Sequence, residues 1–459
     1  MGSDWKSIVL NDLINQGHAF LQTGPFGTAL KAEEYTDNGV PLISVREIRN
    51  GYIKIEGTTP RVSRNTTNRL PKFVLNKGDI VFARKGGVDR TAYITEKEAG
   101  WFLGSDGIYL RLDDNYNSLF ISYIMRSPTT REWLIKNSEG TTMPSLNQKI
   151  LSRIPLTIPD LCKQNIIANF LYSLDKKINI NNQLNHTLEQ MSKTLFKSWF
   201  VDFDPVIDNA LDAGNPIPEA LQSRVELRQK VRNSADFKPL PAEIRSLFPG
   251  EFEETELGWV PKGWTISNLG KEFNITMGQS PSGITYNESR TGLPFFQGKT
   301  DFGFRFPSER IYCTDPKRLA YKLDTLLSVR APVGVTNLAS TECIIGRGLA
   351  ALRHKSGNIA FTYYSISNLS DYFSVFNGEG TVFGSINQKD LKQLPLLCSP
   401  TELINKFEEL SGKWEEKIFV HCGEIENLSK LRDTLLPKLI SGELSVEDLP
   451  DLIKQTEAA

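Results

Sequence analysis

The residues of this chain that could do chemistry fall short of a reaction centre. Gly298-Lys299-Thr300 supplies the glycine, lysine and hydroxyl that hold a phosphate, but five residues separate it from Gly292 where a phosphate-binding loop has four. Asp175-Lys176-Lys177 and Glu415-Glu416-Lys417 have the acid and lysine of a nuclease, yet both fall in helical patterns, where exposed charge is the ordinary arrangement. The four histidines, at 18, 186, 354 and 421, are too scattered for a Ser-His-Asp arrangement, and the five cysteines form no C-x-x-C pair for zinc. No catalytic residue and no metal ligand is expected.

Phe376 to Gly380, FNGEG, has the glycines of an amino-methyltransferase motif, and Asn215 to Pro218, NPIP, faintly matches the Asn-Pro-Pro-aromatic segment of those enzymes. Neither fits, because no aromatic follows Pro216-Ile217 to stack on a base and the first segment opens no strand-helix-strand unit. What remains is the chemistry of binding. Arg and Lys pair with guanine, Asn and Gln with adenine, and Ser, Thr and glycine amides with phosphate. In the first half the candidates are Arg46, Arg49, Arg84, Lys85 and Arg90, the last three flanking Gly86-Gly87; in the second they are Lys299, Arg305, Arg310, Arg330 and Arg347. Two polar blocks join them: Thr141, Thr142, Ser145, Asn147, Gln148 and Lys149, and then Thr381, Ser385, Asn387, Gln388 and Lys389. The same blocks suit turn and capping chemistry before a strand, and both readings stay open at this stage.

These blocks are copies. Gly140-Thr141, Ser145, Asn147-Gln148-Lys149, Leu151 and Pro155-Leu156 recur 240 positions on, from Gly140 to Gly380, and the register continues as Lys177-Ile178, Leu188 and Leu195 meet Lys417-Ile418, Leu428 and Leu435. A period that long means a duplicated domain and not a solenoid. Residues 1–158 and 259–398 read as two β-rich domains whose strand patterns follow the same order, with looser likeness in their bodies. Each is followed by a long helix, 159–204 and 399–441, with no proline between Pro159 and Pro205 or between Pro400 and Pro437. Apolar residues mark one buried face on each: Ile167, Leu171, Leu174 and Ile178 at spacings of three and four, resuming after a slip in phase as Leu184, Leu188, Met191 and Leu195, and then Phe407, Leu410, Trp414, Ile418, Ile425, Leu428 and Leu435. Gln164 to Phe200 alone would reach roughly 55 Å. Asn181 and His421 interrupt these stripes at equivalent positions, either to set register or as solvated positions. A proline-rich connector, 205–258, with one helical stretch near Glu219 to Val231, joins the halves, and 442–459 reads as an acidic tail. The fold class expected is α+β.

With 53 Lys+Arg against 54 Asp+Glu, any polyanion site must be local. The opening MGSDWKSIVLNDLINQGH has neither the basic stretch nor the apolar run of a leader, and no window is apolar enough for a membrane span, so a cytoplasmic protein is expected.

The segments GTTMPSLNQKILSRIPLTIP, WFVDFDPV (199–206), ELGWVPKGW (256–264) and LRDTLLPKLISGEL (431–444), in this order, resemble the specificity subunits of type I restriction-modification enzymes over essentially the whole chain. The resemblance implies two target recognition domains, each reading one half of an asymmetric bipartite site in double-stranded DNA. It also implies two long helices paired antiparallel with pseudo-twofold symmetry. Two modification subunits, carrying S-adenosylmethionine and methylating adenine N6, would dock there, with two restriction subunits using ATP and Mg; this chain itself would bind no cofactor. A structural adaptor whose domains bind something other than DNA is the alternative.

Overall fold

The computed structural model describes residues 5–140, 142–377, 384–445 and 447. The chain divides into two compact units, residues 1–178 with 426–459, and residues 179–425. Each therefore holds one β-rich domain, the opening part of one long helix and the closing part of the other.

In the first unit a four-stranded sheet runs in the order Ala19–Thr23, Gly107–Leu112, Ile80–Ala83, Thr91–Tyr93, and a second sheet runs Tyr35–Thr36, Arg61–Val62, Val40–Ile43, Phe102–Leu103. Lys6–Val9 pairs antiparallel with Pro155–Ile158, so the strand that enters the domain is bonded to the strand that leaves it. The second unit repeats this plan. Its four-stranded sheet is Phe273–Met277, Leu349–His354, Thr325–Ser328, Thr336–Leu338, and Thr265–Asn268 pairs with Pro395–Cys398. In the second sheet Leu319–Ala320 adds a fifth strand.

Both sheets enclose the same buried ion pair. Asp79 binds Arg111 with two bonds of 2.6 Å, and Asp324 accepts from Arg353 at 2.6 Å. Each aspartate also accepts a backbone N–H three residues upstream, from Asn76 or Tyr321, which closes the turn into the central strand. A charge buried on one side must be paired to be tolerated, and the sequence supplies the pair twice.

The first long helix spans Leu161–Phe200 and the second Thr401–Ile440. In the first unit Ile167, Ala168 and Leu171 of the one and Leu435, Leu436 and Leu439 of the other share a core with Leu10, Phe120 and Ile124. In the second unit Phe196 and Trp199 share a core with Leu403, Ile404, Phe407 and Phe361. Phe196 and Trp199 stand 240 positions before Leu436 and Leu439, so the same helix positions clamp each domain. Pro437 lies within the last turn of its helix and does not end it.

The connector is more helical than its prolines suggest. Besides Gln222–Arg232, a helix runs over Asp204–Ala213 with Pro205 in its first turn, where a missing N–H costs nothing. Asp204 pairs with Arg224 at 2.8 Å, Asp208 with Arg228 at 2.9 Å, and Asp212 with Arg232 and Arg245. Among the described residues no helix is long and apolar enough to cross a membrane. Most of the expected acidic tail lies outside the described residues.

Candidate functional site

The duplicated Asn-Gln-Lys blocks sit where each domain hands over to its last strand. Asn147 accepts the Ile150 N–H at 2.8 Å and caps Gln148–Leu151; Asn387 accepts the Asp390 N–H at 3.0 Å and caps Gln388–Gln393. Gln148 reaches back to Thr23 at 2.9 Å, whereas Lys149, Gln388 and Lys389 are exposed. Capping is thus the observed role of the two asparagines. Thr142 is exposed, and Thr141 and Thr381 lie outside the described residues.

The backbone brings the two sets of candidates together in both domains. Gly86 N–H donates to Pro144 O at 3.0 Å and Leu146 N–H to Arg84 O at 2.8 Å, placing Lys85 opposite Ser145 in an isolated bridge. Ala331 N–H donates to Gly384 O at 2.9 Å and Ile386 N–H to Val329 O at 3.0 Å, placing Arg330 opposite Ser385. Arg84 lies 4.4 Å from the Phe26 ring centroid and donates to Ser105 O at 3.2 Å, while Lys85 approaches Asp106 at 3.6 Å. Arg90 and Arg46 are exposed. Arg49 is half-buried, pairing with Glu56 at 3.5 Å. Lys299 stands exposed on a turn, and Arg310 is held by Asp301 at 3.0 Å.

Arg305 departs from expectation. Its side chain is 0% exposed and so presents nothing to a ligand. It lies 3.2 Å from Glu189 and 3.4 Å from Glu415, one on each long helix, with its guanidinium 4.1 Å from the Tyr363 ring centroid. Tyr364 donates to Glu415 at 2.6 Å. Burial pushes the Glu415 carboxyl above the ordinary glutamate range, and Arg305 offsets this only in part. The corresponding place in the first unit holds Asp175, which accepts from Tyr123 at 2.8 Å, Arg126 at 2.5 Å and Arg432 at 2.7 Å. Burial would raise the Asp175 carboxyl, but the two guanidiniums outweigh it and hold the group below the ordinary range.

The helix seam is polar through the second unit. Asn181, 1% exposed, donates to Glu424 at 2.7 Å; Asn185 meets His421 at 2.9 Å; Ser411 donates to Ser192 at 3.0 Å. Partner numbers fall as residue numbers rise, so the segments run antiparallel. Asn181 and His421 therefore belong to the register-setting alternative. Of the expected apolar stripe, Leu174, Ile418 and Leu435 are buried, while Ile178, Leu188, Leu195, Trp414 and Leu428 are half-buried. Leu184 and Met191 are exposed, because asparagine, glutamate and serine occupy the seam in their place. Asn185, Glu189, Ser192, Ser411 and Glu415 were not expected there. A clue was available, since polar residues recurring at spacings of three and four trace the face that a search for apolar residues passes over.

Two copies of a domain, each with an exposed basic and polar edge and each clamped by both helices, define a duplicated binding scaffold. Comparison with known proteins gives the class a family. Residues 2–190 match the type I restriction modification DNA specificity domain. The chain is 25% identical over 408 residues to the HindI type I restriction enzyme specificity subunit of Haemophilus influenzae, covering 81% of this chain and 88% of that one. It is 23% identical over 442 residues to the MjaIX specificity subunit of Methanocaldococcus jannaschii, covering 91% and 90%. The crystal structure of the type I restriction-modification S subunit from M. genitalium has the same fold, at a TM-score of 0.55 and 17% identity over 96% of this chain and 97% of that one. Over most of its length the chain is thus similar to type I restriction-modification specificity subunits, a family that implies no catalytic activity of its own.

Proposed function

We infer that this chain is the DNA sequence-specificity subunit of a type I restriction-modification complex, binding an asymmetric bipartite site with one recognition domain per half-site. The observation that carries the reading is the duplication itself. The bodies of the two domains differ in sequence, yet both end in the same capped turn and dock on the same helix positions. Variation where bases would be read, on an invariant mount, is what two independent half-site readers on one scaffold require. The helices serve as the docking element for two modification subunits and, indirectly, two restriction subunits. Methyl transfer from S-adenosylmethionine to adenine N6, base flipping and ATP- and Mg-dependent cleavage belong to those partners in the cytoplasm.

The test is a genome-wide map of N6-methyladenine, by long-read sequencing, in a host expressing the chain with its modification partner. A bipartite motif with a fixed gap, lost when this chain is deleted, is the expected result. Exchange of residues 5–150 for another member's domain should alter one half of that motif only. With the partner expressed and assembled, absence of any motif would favour the adaptor alternative.

A further inference from the structure

The two domains share a backbone crossing at which their side chains differ. In the second domain Gly278 N–H donates to Leu349 O at 2.9 Å, Gly346 N–H to Phe296 O at 2.9 Å and Gly348 N–H to Gln297 O at 3.0 Å. A Cβ on Gly278 would fall 2.1 Å from Gly346 O, and one on Gly348 2.6 Å from Gln297 O, so glycine alone lets these strand ends approach. In the first domain Gly24 N–H donates to Gly107 O at 3.1 Å and Gly104 N–H to Ile43 O at 2.8 Å, and a Cβ on Gly24 would fall 1.9 Å from Gly104 O. The segment Gly104-Ser105-Asp106-Gly107 thus corresponds to Gly346-Arg347-Gly348-Leu349.

At this crossing the cations of the first domain are engaged, Arg84 on Phe26 and Ser105 O, and Lys85 beside Asp106. The second domain has Arg347 instead, exposed, with no hydrogen-bond or ion-pair partner for its guanidinium among the described residues. Its base is nonetheless fixed. Ser280 Oγ accepts the Arg347 N–H at 3.2 Å and donates to Gln297 Oε1 at 2.9 Å. One oxygen of Gln297 is therefore occupied and its NH₂ is left as the outward donor. Just below, Tyr286 and Phe295 stack with centroids 4.6 Å apart and stiffen the floor. Arg330 stands exposed next along the same backbone, since Val329 N–H donates to Gly348 O at 2.9 Å.

A free guanidinium beside an amide donor, both on backbone locked by three glycines, is a preorganised reader of an acceptor pair. We propose that Arg347, oriented by Ser280 and flanked by Gln297, reads a guanine through O6 and N7 in the half-site of the second domain. The inference rests on the function inferred above. Arg on guanine is a bidentate pair that discriminates against the wrong base by about fivefold to 150-fold.

The same methylation map tests it, with Arg347→Lys and Arg347→Ala chains expressed alongside the unaltered one and their modification partner. For Arg347→Lys, which keeps the charge but not the fork, methylation should spread to other bases at one position of one half-site. The gap and the other half-site should stay unchanged. Arg347→Ala should bind the cognate duplex about tenfold or more weakly, while its affinity for unrelated duplex at equal salt changes far less. An unaltered motif with both substitutions, or relaxation in both half-sites, overturns the proposal. If the unaltered chain yields no bipartite motif, the functional reading itself fails, and that result is distinct.

Discussion

Positions 175 and 415 are equivalents in the duplication, and both place a carboxylate on a long helix where a tyrosine of the neighbouring domain donates to it. Their surroundings then diverge. Asp175 has two arginines, one from its own domain and one from the second helix, and its charge is stabilised. Glu415 shares Arg305 with Glu189, and among the described residues Arg305 Nε and Nη1 and Glu415 Oε2 find no hydrogen-bond partner. Burial prevails there, and its carboxyl is raised. Duplication conserved the anchor position but not the sign of the charge balance around it. A mount can therefore be preserved while the polar network filling it is rebuilt.

The strongest way to break the comparison is Arg305→Ala, which leaves the buried Glu415 without its cation and Glu189 with Lys193, 3.2 Å away. A loss of about 3–5 kcal/mol is expected, read as a lower apparent melting temperature and faster proteolysis of the second unit. Asp175→Asn comes next. Arg126 would lose its carboxylate and Arg432 would keep Asp433, 2.8 Å away, for a loss of about 2–3 kcal/mol, read by the same methods in the first unit.

The two acids should also differ in pH response. Asp175 titrates lower in the fold than in the unfolded chain, so its contribution is complete above the ordinary aspartate value, about 3.9, and is lost as pH falls through the folded value. Glu415 titrates higher in the fold. Its ionisation opposes folding as pH rises past about 4.3, while the Arg305, Glu189 and Tyr364 groups around it set the final balance. Glu415→Gln should therefore cost least near neutral pH, and the unaltered chain should gain on it as pH is lowered toward the ordinary glutamate value of about 4.3, measured by parallel thermal melts. The smallest effect expected is that of the caps. Asn147→Ala and Asn387→Ala should each cost about 1 kcal/mol, nearly equally. A loss of methylation beyond that destabilisation in either one would assign it a contact with DNA as well.

Much of the architecture was legible because it repeats. The 240-residue register recurs in the two long helices, Leu161–Phe200 and Thr401–Ile440, and the docking of Ile167, Leu171, Phe407 and Leu435 follows the apolar spacing. The helix seam was less legible. Its centre is built from Asn181, Asn185, Ser192 and Ser411, whose burial depends on partners more than 200 residues away, while Leu184 and Met191 point outward. Arg305 was misread for the same reason, since an arginine in a loop is ordinarily solvated and only the converging helices bury it. The helix Asp204–Ala213 was missed because Pro205 reads as a breaker, although at a first turn it starts a helix. At the candidate site the sequence supplied the residue types. Which of them share a platform came from backbone contacts such as Lys85 with Ser145 and Arg330 with Ser385.

The strand that enters each domain is bonded directly to the strand that leaves it, Lys6–Val9 to Pro155–Ile158 and Thr265–Asn268 to Pro395–Cys398. The chain enters and leaves each body through one narrow neck. Insertions, deletions or wholesale genetic exchange within the body can leave the neck, and hence the helix that follows it, where they were. The molecule is thus built to inherit new specificities as interchangeable cassettes, each arriving with its own ends already fastened.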